Sequence, residues 1–321
     1  MTEALLAAPE VSPALAAIRP TREELRKWYS LMHMGRVLDE KAPNYLKQGL
    51  GWSYHAPCAG HDGIQVALGT TFRPAFDYLF PYYRDLTTCL AAGVTPEQIL
   101  LNGMSKASDV SSGGRHMSNH FARHDLYVWN VSSCVANHAQ HAAGLGRAIR
   151  SYGLSSLVYC SMGESSTSEG YFYEAVNGCS LGKLPVIFVI QDNGYGISVP
   201  KRQQTANHYA SDNFASFPNL KVIHCDGKDV LDSVRALREA AAFAQSGEGC
   251  VLVHADCVRI GSHSNSDRHE LYRDEEELAA ARALDPLPRF RRLLVEGGAF
   301  SEEEVRAIEE ENQRTYEAAA D

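Results

Sequence analysis

Four short apolar runs without polar alternation stand out in the second half of the chain: Leu157-Val-Tyr-Cys160, Pro185-Val-Ile-Phe-Val-Ile190, Lys221-Val-Ile-His-Cys225 and Cys250-Val-Leu-Val-His254. A strand wetted on one face alternates apolar with polar residues, so continuous runs read as strands buried on both faces. Helical stretches from Glu169 to about Gly182 and from Asp229 to about Gln245 separate several of them. Strand, helix, strand in that rhythm predicts an α/β fold, a parallel sheet with right-handed crossovers and helices on both faces. Upstream, Thr21 and Glu24 make a capping-box pattern that opens a helix running through Leu38. Gly49 to His124 is rich in Gly, His, Ser and Tyr with weak periodicity, which predicts short helices joined by long, shaped loops of the kind that carry function. The expected organisation is a flexible arm over residues 1–20, an α/β domain over 21–273 and a helical C-terminal appendage over 274–321, where Ser301 and Glu304 form a second capping box.

Composition narrows the classes. With 321 residues, 45% hydrophobic and 21% charged, the chain is globular and can bury a large core. A net charge of -9 argues against a nucleic-acid surface, which needs clustered positive charge. Most of that charge is local: residues 274–321 hold 14 acids against 6 arginines, or -8. There is no apolar run of membrane-spanning length and no Lys or Arg before Arg19, so neither a membrane segment nor a signal peptide is expected. The eight cysteines include no C-x-x-C pair and several sit in apolar runs, so they read as small buried hydrophobes in a reducing, cytoplasmic compartment.

Ligands of an open parallel sheet bind beyond the carboxyl ends of its strands. Two turns there stand out: Gly163-Glu164-Ser165-Ser-Thr-Ser168-Glu169-Gly170 after the first run, and Gln191-Asp192-Asn193-Gly194-Tyr195-Gly196-Ile-Ser198 after the second. If the two strands are neighbours, Glu164 and Asn193 converge at one edge. Carboxylate, amide and carbonyl oxygens suit a hard divalent cation such as Mg²⁺, which completes its shell with phosphate, and amides at a helix start add an anion-binding surface. Either turn taken alone is also explained as a helix-cap acid or a plain Asn-Gly turn.

Together the two turns resemble the thiamine diphosphate motif and, more narrowly, the alpha subunit of the decarboxylating component of 2-oxo acid dehydrogenase complexes. Tyr82-Tyr83-Arg84-Asp85 is similar to that family's cofactor-contacting Tyr-Arg, and Arg259-Ile-Gly-Ser-His263-Ser264-Asn-Ser266-Asp267 with Tyr272-Arg273 resembles its phosphorylation-loop region. The resemblance implies the thiamine diphosphate-binding fold, with Glu164, Asn193 and the Tyr195 carbonyl on Mg²⁺ and Arg84 on the diphosphate, Tyr83 beside it. It places Ser133 and Val135 at the aminopyrimidine. Gly163 and Ser165 lend close backbone approach, although Ser165 stands where the family often has Gly or Ala. Gln191 replaces a frequent contact residue and is given no phosphate. His263 faces the substrate, where a histidine titrating near neutrality can exchange protons, and His120 lies on the substrate side. Ser264 and Ser266 resemble regulated serines.

The same resemblance implies a beta subunit that supplies the glutamate beside the pyrimidine, an α2β2 heterotetramer inactive without it, and transfer of the acyl group to a lipoyl domain of the acyltransferase component. Glu164, where pyruvate-type relatives usually have Asp, makes a branched-chain 2-oxo acid the expected substrate. A pyruvate or acetoin dehydrogenase subunit is the alternative within enzymes, and a non-catalytic homologue keeping the fold is the alternative outside them. Two other patterns are set aside. His116, His120 and His124 recur every four residues, yet the Gly113-Gly114 context predicts a loop rather than a zinc-binding helix face. Gly144-Leu-Gly146 lacks the third glycine and the preceding strand of a dinucleotide fingerprint. His138 and His141 read as structural.

Overall fold

The computed structural model describes residues 18–321; the arm expected over 1–20 falls, but for its last three residues, outside them. Five parallel strands, β1 (Tyr78–Phe80), β2 (Val158–Gly163), β3 (Val186–Asp192), β6 (Leu220–Asp226) and β7 (Cys250–Asp256), form one sheet in the order β1-β2-β3-β7-β6. Four are the runs read from the sequence. The fifth, β1, is three residues long, too short to leave a pattern.

The side-chain period of two explains why the runs are apolar throughout. Tyr159, Ile187, Val189, Val251 and Val253 enter one core. Their neighbours Val158, Cys160, Val186, Phe188, Ile190 and Leu252 enter the other. Helices α5 (Asn137–Ser151) and α6 (Gly170–Gly182) cover the second face, while α2 (Asp62–Thr71) and α7 (Val230–Ser246) cover the first. Helix α7 starts at Asp229, whose side chain accepts from the Leu231 and Asp232 amides.

Helix α1 (Arg22–Lys47) opens on the predicted Thr21–Glu24 capping box but continues past Leu38, even through Pro43. Leu38 and Ala42 are fully buried in a cluster with Trp52, and that burial outweighs the amide bond lost at proline. Helices α3 (Leu86–Ala91) and α4 (Pro96–Gly103) are the short pieces expected in the loop-rich stretch, the latter on a Thr95–Gln98 capping box.

The acidic C-terminal stretch is helical, as expected: α8 (Glu275–Ala283), α9 (Pro286–Glu296) and α10 (Glu302–Ala320), the last on the Ser301–Glu304 box. It is not merely peripheral. Phe290, Leu294, Val305 and Ile308 belong to the main core, and Asn312 Nδ2 donates to the Ser30 carbonyl of α1 at 2.8 Å. Only the face bearing the acids remains in water. No helix among the described residues is long and apolar enough to cross a membrane.

Candidate active site

The register of the central strands builds the site. Gly163 pairs with Gln191 across β2 and β3, so the residues that follow each strand emerge side by side. Glu164 opens a 3-10 turn and Asn193 opens the turn into the two-residue hairpin β4 (Tyr195–Gly196) and β5 (Val199–Pro200). The Asn193 amide donates to Glu164 Oε2 at 3.2 Å, and Asn193 Oδ1 accepts from the Tyr195 amide at 3.2 Å. The Lys201 amide donates to the Gly194 carbonyl at 2.8 Å, so Tyr195 and Pro200 face each other as a non-hydrogen-bonded pair and the Tyr195 carbonyl points away from β5. Carboxylate, amide oxygen and carbonyl therefore gather as the two turns implied.

These groups border a cavity of about 620 Å³, and every predicted site residue lines it: Tyr83, Arg84, His120, Ser133, Val135, Gly163, Glu164, Ser165, Asn193, Tyr195 and His263. A side chain at Gly163 would meet no protein atom within 4 Å, so its absence leaves space along the wall. Ser165, the departure from Gly or Ala, is accommodated by the hairpin. Its hydroxyl donates to Gln204 Oε1 at 2.9 Å, and a Cβ at Gly196 would lie 2.4 Å from that hydroxyl.

The charges are not balanced by the protein itself. Glu164 is buried and its side chain touches no cation; burial, and then the charge of Asp192, push its pKa up to about 7. Lys201, whose charge acts on it without contact, is paired with Asp192 at 2.5 Å. Arg84 is 2% exposed without a carboxylate partner. It donates to the Pro57 carbonyl at 2.7 Å and the His263 carbonyl at 3.2 Å, and its Nε has no partner. A buried guanidinium and a buried carboxylate, each lacking a counterion, suit an anion and a cation that arrive together. The residues thus fit a magnesium diphosphate.

The other site residues differ from expectation in detail. His263 was expected to titrate near neutrality, but burial, and then Arg84 and Arg259, hold its pKa down at about 3. It is a neutral hydrogen-bonding group here, with Nδ1 3.3 Å from Arg84 Nη2 and its backbone amide donating to Asp267 at 2.7 Å. His120 is closely held, with Nδ1 3.0 Å from the Ser118 carbonyl and Nε2 2.9 Å from the Ser133 hydroxyl. Burial lowers its pKa as well. Tyr83 packs edge-on against Tyr54 and His263, with the Arg84 guanidinium 5.7 Å from its ring centre. Gln191, given no phosphate contact, is fully buried beneath the site and bonds Asp85 at 2.7 Å and His61 at 2.9 Å. His116 and His120 lie close, with ring centres 4.5 Å apart, but on irregular chain, whereas His124 sits in a 3-10 turn facing Trp129.

Of the further contributors only Tyr54 lies outside the motifs read from the sequence; Met117 belongs to the stretch 114–120 that the resemblance puts by the active-site entrance, and Ile197 and Val199 to the turn after β3. Tyr54, Met117, Ile197 and Val199 make the apolar wall. Ile197, a β-branched residue, is held at φ 56° in the hairpin loop at the cavity mouth, a strained conformation typical of functional loops. Arg259 is 1% exposed, stacked over Tyr195 and bonded to the Tyr272 hydroxyl at 2.6 Å, with Nε and Nη1 unpartnered. It was visible as the first residue of the resembling loop.

Comparison with known proteins agrees with this geometry. The family model described as Dehydrogenase E1 component matches residues 29–321. The 2-oxoisovalerate dehydrogenase subunit alpha of Bacillus subtilis (strain 168) is 33% identical over 287 residues, 89% of this chain and 86% of that one. The pyruvate dehydrogenase E1 component subunit alpha of Mycoplasma pneumoniae is 32% identical, covering 92% of this chain and 80% of its own length. The 3-methyl-2-oxobutanoate dehydrogenase subunit alpha of Mycobacterium tuberculosis is 31% identical, covering 90% and 76%. The chain belongs to the dehydrogenase E1 component family, as an alpha subunit of a thiamine diphosphate-dependent 2-oxo acid dehydrogenase.

Proposed function

We propose that the chain works on a branched-chain 2-oxo acid, with Mg²⁺ and thiamine diphosphate held by Glu164, Asn193, the Tyr195 carbonyl and Arg84. The observation that carries the reading is that these groups line one cavity of about 620 Å³, with Glu164 and Arg84 buried and lacking counterions. Bound thiamine diphosphate supplies the carbanion chemistry and electron sink that decarboxylation of a 2-oxo acid requires. The chain's own residues bind and orient. Glu164, Asn193 and Tyr195 offer hard oxygens to the metal. Arg84 offers planar donors to phosphate. Ser133 and Val135 border the remaining space, and Gly163 and Ser165 allow close approach of backbone. His263, neutral, offers its free ring nitrogen to the substrate without adding charge, while His120, with Nδ1 on the Ser118 carbonyl and Nε2 on the Ser133 hydroxyl, borders the substrate side and holds Ser133 in place.

Alpha subunits of this family act with a beta subunit and an acyltransferase component. For this chain the reading is an α2β2 assembly, inactive without the beta subunit, that passes its acyl group to a lipoyl domain. Branched substrates are supported by Glu164, by the relatives named for 2-oxoisovalerate and 3-methyl-2-oxobutanoate, and by the apolar wall of Tyr54, Met117 and Val135. The pyruvate-named relative at 32% identity keeps pyruvate as the second reading. A methylene changes discrimination by only about 1–3 kcal/mol, roughly 10–200-fold, so a direct comparison decides. A ferricyanide-coupled assay of the chain with its beta subunit should give a higher kcat/KM for the three branched 2-oxo acids than for pyruvate. A preference for pyruvate overturns the substrate assignment, and robust turnover by the chain alone overturns the two-subunit reading.

A further inference from the structure

Asn193 can serve a metal only through its oxygen, yet the two ends of its amide are nearly the same size. Some contact must decide which end faces the cavity. We infer that a buried relay behind the site, Asp85 to Gln191 to His61 to Asn193, makes that decision together with the Tyr195 amide, and that His61 is a positioning residue presenting Asn193 Oδ1 to the cation. The inference rests on the metal reading proposed above.

Each step follows from which atoms can donate. Asp85 is a fully buried carboxylate accepting from the Tyr82 amide at 3.0 Å, from Thr88 at 3.1 Å, from Ser161, and from Gln191 at 2.7 Å. A carboxylate only accepts, so the Gln191 atom facing it is Nε2 and the one facing His61 is Oε1. Gln65 fixes the same orientation independently. Its Nε2 donates to the Arg84 carbonyl at 3.0 Å and to Gln191 Oε1 at 3.1 Å. His61 Nδ1, 2.9 Å from that oxygen, must therefore carry the proton, which leaves Nε2 an acceptor. The Asn193 group 3.3 Å from Nε2 is then its NH2, and Oδ1 points away from His61, held from the far side by the Tyr195 amide. His61 is fully buried and outside the cavity wall, so it acts through Asn193 rather than on any ligand. Groups that orient a ligating residue typically contribute about 10–100-fold to metal affinity.

The test titrates Mn²⁺, an oxygen-preferring stand-in for Mg²⁺, into the chain with its beta subunit and saturating thiamine diphosphate, following the EPR signal of free Mn²⁺. His61→Phe keeps a ring but removes both nitrogens and should weaken Mn²⁺ binding by about 10–100-fold. His61→Gln keeps one donor and one acceptor and should restore most of the affinity. Glu164→Gln removes a direct ligand: unchanged Mn²⁺ affinity in that variant means the metal site itself is misassigned. If Glu164→Gln weakens binding while a folded His61→Phe binds like the wild type, the relay is overturned and the metal site stands. A readout that needs no variant guards against misfolding. Histidine ¹⁵N shifts of the wild-type protein should show His61 protonated at Nδ1, and an Nε2–H tautomer overturns the relay.

Discussion

Replacing Glu164 with Gln should make the cofactor-free protein more stable while taking away its metal. The carboxylate is 3% exposed, and its nearest donor is the Asn193 amide at 3.2 Å, since the Ser165 hydroxyl gives its proton to Gln204. Burial and the Asp192 charge raise its pKa from the ordinary 4.5 to about 7. The folded state therefore holds this proton more tightly than the unfolded chain. The contribution of Glu164 to stability is fully present below pH 4.5, shrinks as the pH rises, and levels off above 7. At about 1.4 kcal/mol per pH unit, the interval between 4.5 and about 7 corresponds to about 3 kcal/mol lost by pH 8. Glutamine has nothing to ionise, and its Oε1 can still accept from the Asn193 amide. With an unfolding entropy of about 2.1 cal/mol/K per residue, the variant should melt about 4 °C above wild type at pH 8. Scanning fluorimetry without Mg²⁺ or thiamine diphosphate reads this directly, and the gap should narrow towards pH 5, where folded Glu164 carries its proton. A variant that melts no higher at pH 8, or a gap indifferent to pH, refutes the claim that this carboxylate is buried without a counterion.

Arg84→Met should weaken thiamine diphosphate binding by about 100-fold or more in calorimetry, since hydrogen bonds to charged groups are worth about 1.5–3 kcal/mol each; a folded variant that binds the cofactor like the wild type contradicts this. The NMR signals of His263 in the cofactor-free protein should not titrate between about pH 5 and 8, given a pKa held down at about 3; a midpoint near 6.5 contradicts this. Gly60→Ala should lower stability by about 3 kcal/mol or more in denaturant unfolding, because Gly60 sits at φ +94° and an added Cβ would lie 1.9 Å from the Val258 carbonyl oxygen.

The sheet and the two turns that follow β2 and β3 were legible because both are local. A strand buried on both faces must be apolar at every position, and Gly163-Glu164 and Asn193-Gly194 stand where such strands end. Parallel neighbours then bring Glu164 to Asn193 without any further signal. What stayed hidden depends on distant partners. In α10 the buried Val305, Ile308, Asn312 and Tyr316 keep a helical spacing, but the acids around them dominate the composition, so the segment read as an appendage. His61, Gln65, Asp85 and Gln191 are polar residues buried together from three segments, and burial of a polar group leaves no periodic trace. His263 looked like a group titrating near neutrality because the guanidinium of Arg84, 179 residues away in sequence, lies beside it only in the fold.

The metal and diphosphate assignment is tested most directly by an anomalous difference map from crystals of the chain with its beta subunit, grown with Mn²⁺ and thiamine diphosphate. The expected map has one peak per alpha chain, about 2.1 Å from an oxygen of Glu164, from Asn193 Oδ1 and from the Tyr195 carbonyl, with the Arg84 guanidinium on the diphosphate. A Mn²⁺ peak away from Glu164 and Asn193, or a diphosphate that Arg84 does not touch, contradicts it.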